Sequence, residues 1–155
     1  LVYLAIIGAR GCFVGSNPAY TAYELKHLFT TTDTKFVVVE PDFLKNVLPA
    51  AKECGVGKKS IFVFDTDGAP CPAGSKSWWT LQDHGHAEWH VFDDDVESKS
   101  TMAALMSTSG TTGLPKAAAL SHYALVAHSV MCYDSKEKSY EVCCSAINRS
   151  PLTSS

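Results

Sequence analysis

Apolar positions along this chain switch repeatedly between two spacings. Leu1–Ala9 is almost wholly apolar and reads as the end of a helix, and Cys12–Gly15 as a short strand entering an Asn17-Pro18 turn. Ala22, Leu25, Leu28 and Phe29 then recur at helical intervals. Thr21, with Glu24 three residues on, supplies a capping box at the start of that helix. Phe36–Val39 is an unbroken aromatic and β-branched run, as expected of a strand covered on both faces. Phe43, Leu44, Val47, Leu48 and Ala51 return to helical spacing, with Pro49 predicting a kink or an early end. Ile61–Phe64 is the next strand, closed by an Asp67-Gly68 turn signal. Alternation of this kind predicts an α/β fold, built from βαβ units with right-handed crossovers and a largely parallel sheet.

Residues 65–101 break the rhythm. Pro70, Pro72 and Gly74, several serines and the run Asp93-Asp94-Asp95 predict a loop-rich, partly exposed excursion. The three carboxylates read as a solvated turn, since they would repel one another in a core. Trp78-Trp79 reads as the packing anchor of the excursion. His84, His86 and His90, with Asp83 and Glu88 among them, have a spacing that could place two imidazoles on one side of a strand as metal ligands. A polar surface connection is the reading favoured here, and no metal site is assigned.

The chemistry lies beyond that excursion. After the apolar run Met102–Met106 come Ser107-Thr-Ser-Gly-Thr-Thr-Gly-Leu-Pro-Lys116, with five hydroxyls, two glycines and a lysine in ten residues. Glycines allow a backbone nest of inward N–H groups that binds anions, hydroxyls add donors, and lysine adds a mobile charge. A Walker A loop would place the lysine directly after the second glycine and a hydroxyl after the lysine. Here Leu114 and Pro115 separate Gly113 from Lys116, and Ala117 follows, so that loop is not encoded. Pro115 fixes its own φ and biases Leu114 toward extended backbone. The stretch is therefore expected to run on into Ala117–Leu120 as a second strand, forming a hairpin-like phosphate loop. A solvated Ser/Thr/Gly turn is the plain alternative.

Thr108-Ser109-Gly110-Thr111-Thr112-Gly113-Leu114-Pro115-Lys116 resembles the phosphate-binding signature of the adenylate-forming enzymes, which include acyl- and aryl-CoA ligases, luciferases and peptide-synthetase adenylation domains. Gly15-Ser16-Asn17-Pro18-Ala19-Tyr20-Thr21, followed by Glu24-Leu25, is similar to a segment found before that signature in 4-coumarate–CoA ligase-like and fatty-acyl-CoA ligase-like members. The resemblance implies that the chain is part of the large N-terminal domain of such an enzyme. It also implies a two-step reaction: a carboxylic acid and ATP, carried with Mg²⁺, give an acyl-adenylate and pyrophosphate, and coenzyme A then takes the acyl group as a thioester. Thr108, Ser109, Gly110, Thr111, Thr112 and Gly113 would form the phosphate cradle, and Lys116 would meet phosphate charge without acting as a general base. Ala117 departs from the glycine usual after that lysine, and its methyl could crowd the loop's return.

The same resemblance sets expectations for the rest of the chain. Ser121 is expected to cap a helix carrying Leu125, Val126, Val130 and Met131, packed behind the phosphate loop. His122 beside that cap reads as an exposed first-turn residue, with assistance to nucleotide binding as the alternative. His128 reads as helix surface or packing. The family's aromatic–Thr–Glu motif, its ribose-binding aspartate and its C-terminal adenylation lysine are not found in these 155 residues. The strand expected after Tyr140 leads instead into a polar run, so residues 1–145 are read as a partial AMP-binding domain and 146–155 as a divergent, disordered tail. That tail suggests a frame change, retained intron or truncated gene model, and the absence of an initial methionine suggests missing upstream residues. As an isolated chain the fragment is expected to be inactive, and no catalytic residue is assigned. A non-catalytic nucleotide-binding or interaction module that keeps the phosphate loop is the alternative. An unrelated α/β domain with a coincidental loop would require that Ser107–Lys116 not follow a sheet strand.

Composition narrows the remaining classes. At 155 residues and 46% hydrophobic content the chain can bury a core of one domain at most. A net charge of −3 and a pI near 6.0 give no footprint for nucleic acid. No apolar run approaches the roughly 20 residues of a membrane span, and the opening helix lacks the basic flank of a signal peptide. The six cysteines contain no C-x-x-C pair and read as buried or incidental thiols in a reducing compartment. The expected location is intracellular, with cytoplasm and peroxisome both open. Cys143-Cys144 falls in an expected strand, where adjacent side chains point to opposite faces and would not share a metal.

Overall fold

The computed structural model describes residues 2–65, 71–72, 74–108 and 116–134. Its helices are α1 (Val2–Gly8), α2 (Ala22–Thr31), α3 (Leu44–Glu53), α4 (Asp95–Ser100) and α5 (His122–Asp134). Its strands are β1 (Phe13–Val14), β2 (Val37–Val39), β3 (Ile61–Val63), β4 (Lys76–Ser77), β5 (Met102–Thr108) and β6 (Lys116–Ser121). The class is α/β with mostly parallel pairing, as the alternation predicts. The strands divide between two sheets, however, one ordered β2-β3-β4 and the other β1-β5-β6. Among the described residues only β5 and β6 pair antiparallel.

The buried core lies where α2 and α3 meet over β2 and β3. Leu25, Phe29, Val47, Ala50, Ala51 and Val63 belong to one cluster, and Ala51 and Val63 have no exposed surface. β3 is buried at all three positions because it lies between β2 and β4, which explains its unbroken apolar run. The predicted capping box starts α2: Glu24 N–H donates to Thr21 Oγ1 at 3.4 Å, and Thr21 N–H donates to Glu24 Oε2 at 2.8 Å. Replacing Thr21 with alanine is expected to lower stability by about 1 kcal/mol, as for other N-cap losses, measured as a fall in the urea midpoint at constant slope.

Two local expectations are corrected. Pro49 neither shortens nor ends α3, which continues to Glu53. Both Pro49 and Lys45, whose carbonyl loses its helical donor, lie at exposed positions, so the lost bond falls on the solvent side. The acidic run is not a simple solvated turn. Asp94 accepts from the N–H groups of Val96 and Glu97 at 3.1 and 3.2 Å, so it caps α4, and Asp95 pairs with Lys99 one turn on at 2.8 Å. The excursion before it also carries β4 and a 3-10 helix at Trp78–His84. Trp78 and Trp79 do anchor it: Trp78 packs on Phe64 at 4.8 Å, and Trp79 Nε1 donates to the Asp65 carbonyl at 3.1 Å.

The Asp67-Gly68 turn, Cys143-Cys144, the strand after Tyr140 and the 146–155 tail lie outside the described residues. Cys12 is exposed and Cys54 and Cys71 are part-buried, so these three thiols are not core residues, and none of the three forms a disulfide. Among the described residues, no helix is long and apolar enough to cross a membrane.

Candidate functional site

β5 and β6 carry the two ends of the hydroxyl- and glycine-rich stretch. Their antiparallel register pairs Ala104 with Leu120, Met106 with Ala118 and Thr108 with Lys116. Thr108 and Lys116 therefore stand directly opposite each other on one face of the hairpin, both exposed. Thr108 Oγ1 donates to the Lys116 carbonyl at 3.3 Å and closes the base of the connection. The expected second strand is thus present, and it begins at Lys116 itself. Ala117 pairs with Ser107 in that ladder without a register break, so its methyl is accommodated in the strand. Ser109, Gly110, Thr111, Thr112 and Gly113 lie outside the described residues. What the structure brings together is the hydroxyl at one end of the stretch and the ammonium-bearing residue at the other.

Strand alternation turns Ser107 to the opposite face from Thr108. There its Oγ meets the Tyr20 hydroxyl at 3.3 Å. Tyr20 belongs to the Asn17-Pro18 segment, held by Asn17 Oδ1 accepting from Ala19 N–H at 2.9 Å and by Gly15 N–H donating to the Leu105 carbonyl at 3.3 Å. On α3, Asn46 Nδ2 donates to the Tyr20 carbonyl at 3.1 Å. The same segment walls a cleft of about 250 Å³ with Val37–Glu40, the whole of β2 and the residue after it. A larger cleft of about 430 Å³ opens between Thr30–Lys35 and Glu53–Gly57, and none of its lining residues belongs to the hairpin. The Tyr20–Ser107 and Asn46–Tyr20 contacts are not legible in the sequence, because no periodicity links residues so far apart.

At the other end of β6, Ser121 Oγ accepts from Ala124 N–H at 3.2 Å and caps α5, as expected. His122 differs from its expected exposure. Its ring packs 4.2 Å from Phe92, which in turn meets His90 edge-on at 4.5 Å. His122 Nε2 is shut from solvent with no hydrogen-bond partner. The excursion folds back over the α5 start, which is why a first-turn residue is covered. Glu97 draws the group together, 2.6 Å from Arg10 and 3.4 Å from His90 Nε2, the latter without hydrogen-bond geometry. His84 and His86 are exposed, and no group of three or more His, Cys, Asp or Glu side chains among the described residues is placed to hold a metal. His128 is exposed, 3.6 Å from Cys132 Sγ on the next turn.

Burial, and then the charges of His90 and Arg10, hold the His122 pKa below its ordinary 6.5. In the unfolded chain His122 takes a proton more readily than in the fold. The stability it contributes is therefore complete above pH 6.5 and is lost as pH falls through its lower folded pKa. Chemical denaturation between pH 7.5 and 5 should show this decline, and His122→Phe, which keeps a ring on Phe92 and cannot ionise, should flatten it. An unchanged pH profile in that variant would remove His122 as the cause.

Residues 1–148 match the family described as AMP-binding enzyme. The acyl-CoA ligase azaF of Aspergillus niger is 37% identical over 143 residues, covering 91% of this chain and 27% of the relative. The phenylacetyl-CoA ligase epaB, also from Aspergillus niger, is 36% identical over 143 residues, with 91% and 26% covered. The crystal structure of ATP-bound MatB from Rhodopseudomonas palustris superposes with a TM-score of 0.61 at 29% identity, covering 86% of this chain and 24% of that one. The chain thus spans about a quarter of the length of the curated relatives it matches.

Proposed function

We propose, since the chain belongs to the AMP-binding enzyme family, that its β5–β6 hairpin is the phosphate grip of an ATP-dependent acyl- or aryl-CoA ligase. One observation carries the reading: the register that sets Thr108 opposite Lys116 at the base of the Ser/Thr/Gly connection. A departing pyrophosphate must have its charge met and its position held, and a hydroxyl-bearing and an ammonium-bearing residue that face each other across the ladder would supply both. In this reading Thr108, its hydroxyl turning from the Lys116 carbonyl, and the residues Ser109, Gly110, Thr111, Thr112 and Gly113 donate to phosphate oxygens. Lys116 supplies charge and moves no proton. The parent reaction is adenylation of a carboxylic acid followed by thioester formation with coenzyme A. An acid–thiol ligase of this kind works inside the cell, in cytoplasm or peroxisome.

Mg²⁺ enters this reading as the nucleotide's own companion, and no step is derived through it. The acid is a small-molecule carboxylic acid, aryl or fatty acyl. Relatives that act on phenylacetyl and other acyl groups support that class without choosing within it. Residues 1–145 form the adenylation-domain portion in this proposal and 146–155 a separate tail. The 155-residue chain, which spans about a quarter of its relatives, binds nucleotide phosphates without completing adenylation.

Calorimetric titration with Mg·ATP tests the grip. Micromolar binding is expected, weakened about tenfold or more by Lys116→Ala, the worth of one charge-assisted hydrogen bond. Equal binding by the variant, or none by the unaltered chain, would overturn the assignment. Carboxylate-dependent ATP–pyrophosphate exchange should be absent, and clear turnover would refute the claim that the chain is inactive.

A further inference from the structure

Tyr20 is a side chain that touches both sheets. Its ring packs against the buried cluster over β2 and β3. Its hydroxyl reaches Ser107 Oγ at 3.3 Å, one residue before the end of β5. Its own backbone is tied to α3 through Asn46 Nδ2, 3.1 Å from the Tyr20 carbonyl. A tyrosine suits such a span. Its ring is rigid, with two torsions to fix, and packing fixes them here, so the hydroxyl arrives at Ser107 with little further ordering cost.

We propose that Tyr20 is a positioning residue for the phosphate hairpin. It is a strut clamped to α3 by Asn46 that fixes where β5 ends and hence where the Thr108–Lys116 pair stands relative to the β2–β3 layer. Ser107 faces away from Thr108 and Lys116, so the strut braces the hairpin from behind and touches no phosphate. The β1–β5 pairing alone leaves the end of β5 unsupported. β1 reaches only to Leu105, and the Gly15 N–H bond to the Leu105 carbonyl is the last backbone tie on that side among the described residues. Beyond that tie, the Tyr20 hydroxyl on Ser107 joins β5 to the other sheet. The consequence for nucleotide binding rests on the proposed phosphate-grip function, whereas the mechanical coupling does not.

The test is a double-substitution cycle on the full chain, with Tyr20→Phe, Ser107→Ala and both together, read by amide hydrogen exchange and by Mg·ATP calorimetry. Each single variant should speed exchange at Met106–Thr108 and Lys116–Ala118 about fivefold, the worth of one net hydrogen bond. The double variant should go no further than either single one. Exchange in β2 and β3 should not change, which separates positioning from general loss of stability. Asn46→Ala, which leaves both hydroxyls in place, should reproduce the effect by releasing the clamp. Mg·ATP affinity should fall by the same factor in each variant. Unchanged hairpin exchange, or additive effects in the double variant, would overturn the strut. A non-additive exchange pattern in a chain that binds no ATP would leave the strut standing and defeat the phosphate-grip function instead. Faster exchange with undiminished ATP affinity would overturn Tyr20 as a positioning residue for the site.

Discussion

Phe29→Ala is expected to destabilise the chain by about 3–5 kcal/mol, the range for removing a buried phenyl group. Phe29 is only 6% exposed and belongs to the cluster formed by α2, α3, β2 and β3. It is also the wall between two clefts, since it lines both the one beside Tyr20 and the one between Thr30–Lys35 and Glu53–Gly57. Truncation would therefore leave a void open on two sides, with helix α2 held at its start by the Thr21 cap and unable to collapse inward freely. A domain of this size has about 5–15 kcal/mol in reserve, so the variant should sit near its folding threshold. Urea denaturation should show a lowered midpoint with the slope retained, and Phe29→Leu should recover most of the loss by restoring volume. A cost below about 1 kcal/mol for the alanine variant would mean that this face of α2 is not part of the core, contrary to its burial.

Val63→Asp should go further and abolish cooperative folding near neutral pH. Val63 has no exposed surface and lies in β3, the middle strand of its sheet. A carboxylate there would lose its hydration among the apolar side chains of the buried cluster. Burying an unpaired charge costs several kcal/mol even after relaxation, comparable with the whole stability of the domain. Protonation removes much of that cost, so partial recovery of far-UV circular dichroism is expected as pH is lowered. Val63→Ala, which leaves a small cavity and no charge, should fold at all these pH values. A Val63→Asp chain that melts like the unaltered one at pH 7 would contradict the assignment of β3 as a strand covered on both faces.

Both predictions concern parts of the fold that are legible in the amino-acid sequence. The run at 61–64 announces a buried strand because a strand covered on both faces has no polar alternation to show, whereas the similar run at 36–39 overstates its cover: β2 is an edge strand, buried only at Val39, and Phe36 before it is exposed. Thr21 and Glu24 announce the start of α2 because a capping box satisfies orphan backbone groups within four residues of sequence. Pro49 fails to end its helix for an equally physical reason. The cost of proline depends on whether the carbonyl it leaves unpaired can find another donor, and at an exposed position water can take the bond. His122 does mislead. Its local context says first turn of a helix, and only the return of Phe92 and His90 over that turn part-buries its ring and shuts Nε2 from solvent.

The candidate site divides along the same line. Order and spacing in Ser107–Lys116 are enough to reject a Walker A loop and to predict an anion-binding hairpin, because turn geometry and anion binding are properties of contiguous backbone, and it is the resemblance of the same residues to a family signature that implies adenylate-forming chemistry. Tertiary structure alone decides that the strands fall into two sheets, that Thr108 and Lys116 share a face, and that Tyr20 spans from one sheet to Ser107 in the other. A register and a side-chain bridge across 87 positions depend on how separate elements pack, and pairwise packing leaves no periodic trace in the chain. Contiguous residues thus single out the stretch proposed to meet a phosphate, and the packing of distant elements decides what that stretch is braced against.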